Sequence, residues 1–300
     1  MVYLIRIAVV LAVLAASTSL GEESVKFRYV ASLYSDGAGG MFNAPQGIAC
    51  GAGTQITVAD TGNGRVSRFR FENGSFSSAG TQQWPELARP TRLQVGSQGD
   101  LYALDDKTRR VARFSSAGVF LAHIEPPGKG RSGAFVPRSF KLDAKDNVYL
   151  LDIGSEQVVV LDPAGAVLRT IKFPAAYGFF SDLAVAANGA VYLIDTVQRM
   201  VYIVQPQSTE MKPLTASLKE YVLFPTTMTI DANGMLYITD QNGSSILLMN
   251  PAGGVVTRQL AAGWKEGLLR YPSQVCINAS GEIFIADREN NRIQVFAAVK

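Results

Sequence analysis

The residues best placed by type and spacing to do chemistry are six aspartates: Asp60, Asp105, Asp152, Asp195, Asp240 and Asp287. They stand at intervals of 45, 47, 43, 45 and 47 residues. Repeated carboxylates are able to ligate metal, but each closes the same kind of segment, "TVAD", "YALD", "YLLD", "YLID", "YITD" or "FIAD". A residue demanded by every copy of a unit answers a need of the unit. A carboxylate ending a strand accepts hydrogen bonds from the N–H groups of the following turn. Where Arg65, Arg110 or Arg292 follows, an ion pair across the turn is expected too. Other reactive types are scarce. The chain has one histidine, His123, and two cysteines, Cys50 and Cys276. No nucleophile stands beside a base, no Ser/His/Asp arrangement is visible, and the lone His123 reads as structural. Gly-Lys within "PPGKGRSGAF" (126–135) lacks the spacing and the strand–loop–helix setting of a phosphate loop.

The elements that must position these residues follow from the repeat. Fifteen residues before each Asp, with no gap in any copy, stand Pro45, Pro90, Pro137, Phe180, Pro225 and Pro272. Four residues before the Asp come Ile56, Leu101, Val148, Val191, Leu236 and Ile283; six residues after it come Val66, Val111, Val158, Val201, Ile246 and Ile293. Such β-branched and apolar columns suit packed strands. "PTTMTIDANGMLYITDQNGSSI" (225–246) shows the local pattern: alternation, a break at Asn233-Gly234, and alternation again, as in a hairpin. Each unit reads as four strands, a sheet too small to bury its faces alone. Six of them set radially can do so, which predicts an all-β six-bladed propeller of four-stranded antiparallel blades. The last unit stops after its third strand, "RIQVFAAVK", and an unattached strand, "VKFRYVASLY", precedes the first. That N-terminal strand is expected to complete the last blade beside residues 292–299 and so remove an open edge. The long segment 206–224 is expected to hold a short helix.

Two copies, "PQGIACGAGTQITVADTGNGRVSRF" (45–69) and "PSQVCINASGEIFIADRENNRIQVF" (272–296), resemble NHL repeats, the building block of six-bladed propellers. The resemblance extends over 22–300, taken as a single propeller domain. The central copies depart from it, with Gln157, Met200 and Ser245 where the end copies have Arg65 and Arg292. The resemblance therefore implies a fold and not a particular activity. Propellers similar to the peptide-amidating lyases need several histidines for zinc, which one His123 does not supply. Lactonase-like propellers use Glu, Asn and Asp at the channel to hold calcium. Here Asp182 is the one carboxylate in the channel columns, opposed by Arg92 and Lys141. No metal and no cofactor is expected.

Function is sought where the copies differ. Two residues after the Pro column lie Gly47, Arg92, Ser139, Asp182, Thr227 and Gln274; two further on lie Ala49, Gln94, Lys141, Ala184, Thr229 and Cys276. These belong to the innermost strands around the axis. The channel mouth should then carry Arg92, Arg138, Lys141, Asp182 and Gln274, with Phe135, Phe179, Phe224 and Tyr271 near the rim. This describes a mildly basic pocket with aromatic walls, suited to a small anion or to a partner's acidic or aromatic side chain. The competing reading is that Arg92 and Asp182 satisfy each other while the aromatics pack between blades. The longest loops enter this face, and loops on a rigid scaffold commonly carry binding. A non-catalytic scaffold for a protein or peptide partner is the expectation. A metal-assisted hydrolase or lactonase using Asp182 is the alternative.

The opening "MVYLIRIAVVLAVLAASTSLG" (1–21) has one charge, Arg6, an apolar run and then small residues, the pattern of a secretory signal peptide cut after Ser17 or Gly21. An uncleaved anchor is the alternative. An exported monomer, periplasmic or secreted, with no later membrane span is expected. The formal net charge of +3 and the leader argue against nucleic acid as a partner. Export also bears on Cys50 and Cys276, which fall on the innermost strands of blades that become neighbours when the ring closes. A disulfide needs Cα atoms within about 7 Å, whereas facing sheets stand about 10 Å apart. That comparison favours two buried thiols over a bond.

Overall fold

The computed structural model describes residues 25–128 and 135–299. The leader expected over 1–21 lies outside the described residues, as do 129–134 of the loop 126–135. Six four-stranded antiparallel sheets make up the ring. Their innermost strands are Gly47–Cys50, Pro90–Val95, Pro137–Leu142, Phe180–Val185, Pro225–Ile230 and Pro272–Ile277, which number blades 1 to 6. In each blade the second strand ends on one of the six repeated aspartates.

The apolar columns hold the ring together. Ile56, Leu101, Val148, Val191, Leu236 and Ile283 are all buried, and they pack in the seams between blades. Leu151 and Val160 of blade 3, for example, meet Leu183 and Leu193 of blade 4. A fully buried aliphatic side chain contributes roughly 1.5–3 kcal/mol, so each seam supplies what an isolated four-stranded sheet lacks. At the axis the blades come close enough to dictate residue size. A Cβ on Gly47 would stand 2.9 Å from the Ala59 Cβ and 3.1 Å from the Leu93 Cγ of blade 2.

The ring closes as the sequence predicts. Lys26–Leu33 pairs antiparallel with Arg292–Val299, with Lys26 opposite Val299, Leu33 opposite Ile293, and a bulge between Tyr29 and Ala31. Blade 6 thus takes its outermost strand from the N-terminal side of blade 1.

Two local features differ from expectation. The segment 206–224 forms no helix; Met211–Pro213 instead supplies a short fourth strand to blade 4. Leu218 and Val222 then tuck into the seam between blades 4 and 5. In blades 2 to 6 the innermost strand also bulges just after its first residue, between Pro90 and Arg92 in blade 2 and between Pro137 and Ser139 in blade 3, for example. A bulge re-aims side chains at a strand end. Both Thr91 and its neighbour Arg92 therefore reach the same axial space. Among the described residues no helix is long and apolar enough to cross a membrane.

Candidate functional site

The repeated aspartates do more than cap the turn after them. Each also takes a backbone N–H from the connection that leads into its own blade: Asn43 N on Asp60 at 2.7 Å, Arg89 N on Asp105, Val136 N on Asp152 at 2.9 Å, Phe179 N on Asp195 at 3.0 Å, Phe224 N on Asp240 at 2.8 Å and Arg270 N on Asp287 at 2.7 Å. In blades 2 to 5 the following turn donates as well, through Thr108, Gly154, Gln198 and Gly243. In the end blades side chains replace those donors: Asn63 and Arg65 on Asp60, Asn290 and Arg292 on Asp287. Arg110, expected to face Asp105, pairs instead with Glu125 at 2.7 Å. All six carboxylates are fully buried. They fix the chain before the innermost strand and after the second strand of every blade, and so set the rim of the axial opening.

Below that opening the axis is filled by side chains that tie blade to blade. Asp182 of blade 4 accepts the Ser139 hydroxyl of blade 3 at 2.5 Å and the Met228 N–H of blade 5 at 2.8 Å, with the Lys141 ammonium at 3.6 Å. Burial pushes the Lys141 ammonium below its ordinary range, Asp182 opposes that shift and Arg92 adds to it. Thr227 of blade 5 donates to the Ser273 carbonyl of blade 6. Gln274 of blade 6 accepts from Ile48 N of blade 1 at 3.3 Å and Leu93 N of blade 2 at 3.2 Å, and donates to Leu93 O at 2.9 Å. These bonds satisfy polar groups that would otherwise be stranded in the interior.

Above the hub lies a cavity of about 470 Å³. Its lining includes Arg92, Arg109, Arg138 and Arg288, with Asp106 as the lining carboxylate and Phe179 and Phe224 as aromatic wall. Arg92 is only 8% exposed. Burial pushes its guanidinium down to about 10, with Asp182 opposing the shift and Arg138 adding to it, so it stays charged at neutral pH. Arg138 lies over the Phe179 ring at 5.7 Å, a cation–π arrangement; its pKa is lowered by burial, against the pull of Asp182 and Asp106. The expected mutual satisfaction of Arg92 and Asp182 is not what forms: Asp182 is taken by Ser139, Lys141 and Met228.

The structure thus divides the predicted site residues. Arg92, Arg138 and Phe179 come together in the cavity, as does Phe224. Lys141, Asp182 and Gln274 are buried in the hub below it. Tyr271 is exposed in the connection before Pro272. Phe135 packs against the core between blades 2 and 3. Sequence reasoning missed Asp106, Ile153, Gln241 and Arg288, which also line the cavity. They share one column, the residue directly after the repeated Asp. In blades 1 and 4 that column holds Thr61 and Thr196, whose hydroxyls latch onto Pro90 O at 2.7 Å and Pro225 O at 2.6 Å in the next blade. Threonine in two copies and larger residues in the others was the available signal.

Around the cavity, the connections at the same end of the blades expose large apolar side chains: Met41, Val197, Tyr221, Leu223, Trp264 and Tyr271. The two cysteines correct an expectation. Cys50 and Cys276 form a disulfide, with Cα atoms 5.7 Å apart. The mean spacing of facing sheets does not apply to innermost strands, which converge on the axis. Among the described residues no three His, Cys, Asp or Glu side chains gather as a metal site would require. His123 sits on the strand Phe120–Ile124 against the Phe120 ring, centroids 5.0 Å apart.

With this geometry in hand, three kinds of relative can be compared. The family model for the NHL repeat matches residues 269–296. The protein brain tumor of Drosophila melanogaster is 27% identical over 138 residues, which are 43% of this chain and 12% of that protein. Among solved structures, a virginiamycin B lyase from Staphylococcus aureus superposes with a TM-score of 0.64 at 12% identity, over 91% of this chain and 100% of that one. A gluconolactonase from Xanthomonas campestris gives 0.63 at 12%, over 92% and 95%. A calcium-binding regucalcin from Agrobacterium tumefaciens gives 0.65 at 10%, over 92% and 97%. At these identities the superpositions establish the fold.

Proposed function

We propose, for a chain that belongs to the NHL-repeat six-bladed propellers, that it is an exported, non-catalytic scaffold which binds a protein or peptide through its loop face. One observation carries this reading. The large apolar side chains of the connections stand exposed at one end of the blades, around an arginine-lined axial cavity. Exposed apolar groups gathered on one face, with polar groups converging at its centre, are the marks of a docking surface.

The alternative, a metal-assisted hydrolase, asks for a channel carboxylate free to take a cation. Asp182 is enclosed by a lysine, a hydroxyl and an N–H, and four arginines line the space above it. Calcium or zinc bound stoichiometrically to purified protein would favour the enzyme.

The scaffold reading is tested by crosslinking in the native envelope or culture fraction. The pair Tyr221→Ser with Leu223→Ser should abolish recovery of the crosslinked partner. The pair Leu121→Ser with Leu168→Ser, on outer strands, should leave it unchanged. Equal recovery from both would refute a loop-face partner. Export is tested by N-terminal sequencing of the recovered protein, which should begin after Ser17 or Gly21.

A further inference from the structure

Arg92 is a buried cation that no side chain among the described residues pairs with. It lines the axial cavity, is more than nine-tenths buried, and among the described residues its side chain makes no hydrogen bond and no ion pair. The carboxylate nearby in the hub, Asp182, has its oxygens engaged by Ser139, Lys141 and Met228 N. Arg138 offers a second guanidinium. One face of it is covered by Phe179, and among the described residues it too lacks an ion pair. Thr226 Oγ1, also in the lining, is buried and has no partner among the described residues. The lining carboxylate, Asp106, stands 3.4 Å from Arg89 outside the cavity. The cavity is therefore a cationic recess in which Arg92 and Arg138 have no ion-pair partner among the described residues.

Charge complementarity and position point to one occupant. A guanidinium presents its N–H groups in a planar fork that fits a carboxylate. The recess opens in the middle of a face whose rim is apolar. Its volume of about 470 Å³ exceeds what one carboxylate side chain fills, so residues beside the acid would enter the mouth against Phe179 and Phe224. We infer that the axial cavity receives a single Asp or Glu side chain from an extended, otherwise apolar segment of the partner, with Arg92 and Arg138 as its carboxylate clamp. The inference rests on the loop face being the docking surface and names the chemistry that face selects.

Two pools of fluorescein-labelled nine-residue peptides test it, one with a fixed central Glu and one with a central Gln. The other positions are drawn from Leu, Phe, Ala, Ser and Thr, and binding is read by anisotropy. The Glu pool should bind at least tenfold more tightly than the Gln pool. Arg92→Met should erase that difference while leaving the melting temperature of the free protein equal or higher, because a buried charge without an ion pair is gone. The pair Tyr221→Ser with Leu223→Ser should weaken both pools together. Equal binding of the two pools would overturn the clamp and leave the docking face standing. A Glu preference that survives Arg92→Met would overturn the clamp as well. Inorganic phosphate displacing the Glu pool at lower concentration than glutarate would assign the recess to phosphoryl groups and overturn the carboxylate. Glutarate raising the melting temperature of wild type but not of Arg92→Met, with neither pool bound, would make the ligand a free acid and overturn a partner's side chain.

Discussion

Asp195 shows what one repeated carboxylate does, since four backbone N–H groups, those of Gly178, Phe179, Val197 and Gln198, converge on it. Each donor left unmatched in the interior costs about 1–3 kcal/mol. Asp195→Ala is expected to lower stability by at least ~3 kcal/mol, and Asp195→Asn, which keeps one acceptor oxygen, by less; urea midpoints at unchanged slope would measure both. The sequence revealed that the Asp belonged to the blade, because it recurred. Its grip on the preceding connection was hidden, because a single chain does not say which N–H groups a carboxylate fifteen or more residues away will meet. Buried tyrosines supply a pH dependence. Burial raises Tyr102, Tyr149, Tyr192, Tyr202 and Tyr237 above the ordinary value of 10.0, with Asp231 adding to the shift at Tyr237. The unfolded chain loses these protons from about pH 10 upward while the folded chain keeps them. Their contribution is thus complete below pH 10 and is lost as pH climbs through the raised folded values. Phenolate absorbance should therefore appear in step with unfolding rather than ahead of it for these residues.

At the scale of the strand, the closure point is held twice, by the pairing of Lys26–Leu33 with Arg292–Val299 and by the Cys50–Cys276 bond. The bond joins the innermost strands of blades 1 and 6 across a sequence separation of 226 residues. Cys50→Ala with Cys276→Ala is expected to cost roughly 2–4 kcal/mol. Reductant should bring wild type to the same denaturation midpoint and leave the variant where it is. Strands and their order were legible because alternation, Pro and Gly punctuation and the ungapped spacing all agreed. The cavity lining was only half legible. Simple alternation assigned Arg92 to the axis, but the bulge after the first residue of most innermost strands brings a second column, with Thr91 and Thr226, to the same space. In blades 2, 3, 5 and 6 the residue after the Asp reaches it from the neighbouring strand. A period of two carries no trace of a bulge, so Asp106 and Arg288 were not found.

For the whole molecule, the ring makes the two outer strands of blade 6 a hairpin without a turn, since Lys26 lies directly opposite Val299. Joining Val299 to Lys26 through Asn-Gly, the sequence suited to a two-residue hairpin loop, and opening the chain before Tyr34 gives a permutant in which every blade is continuous. It is expected to fold with stability within about 1 kcal/mol of the parent by urea denaturation, as permutation at exposed connections usually allows. A permutant that fails to fold, although blades 1 to 5 are untouched, would show that order of connection and not pairing governs closure.

That same pairing sets a clock on synthesis. Lys26–Leu33 leaves the ribosome ahead of the other described strands, and its partner Arg292–Val299 behind them all. At about 5–20 residues per second, the early strand waits for tens of seconds with its hydrogen-bonding edge open. During that wait a holdase, or a second nascent copy, can pair where the chain's own far end belongs.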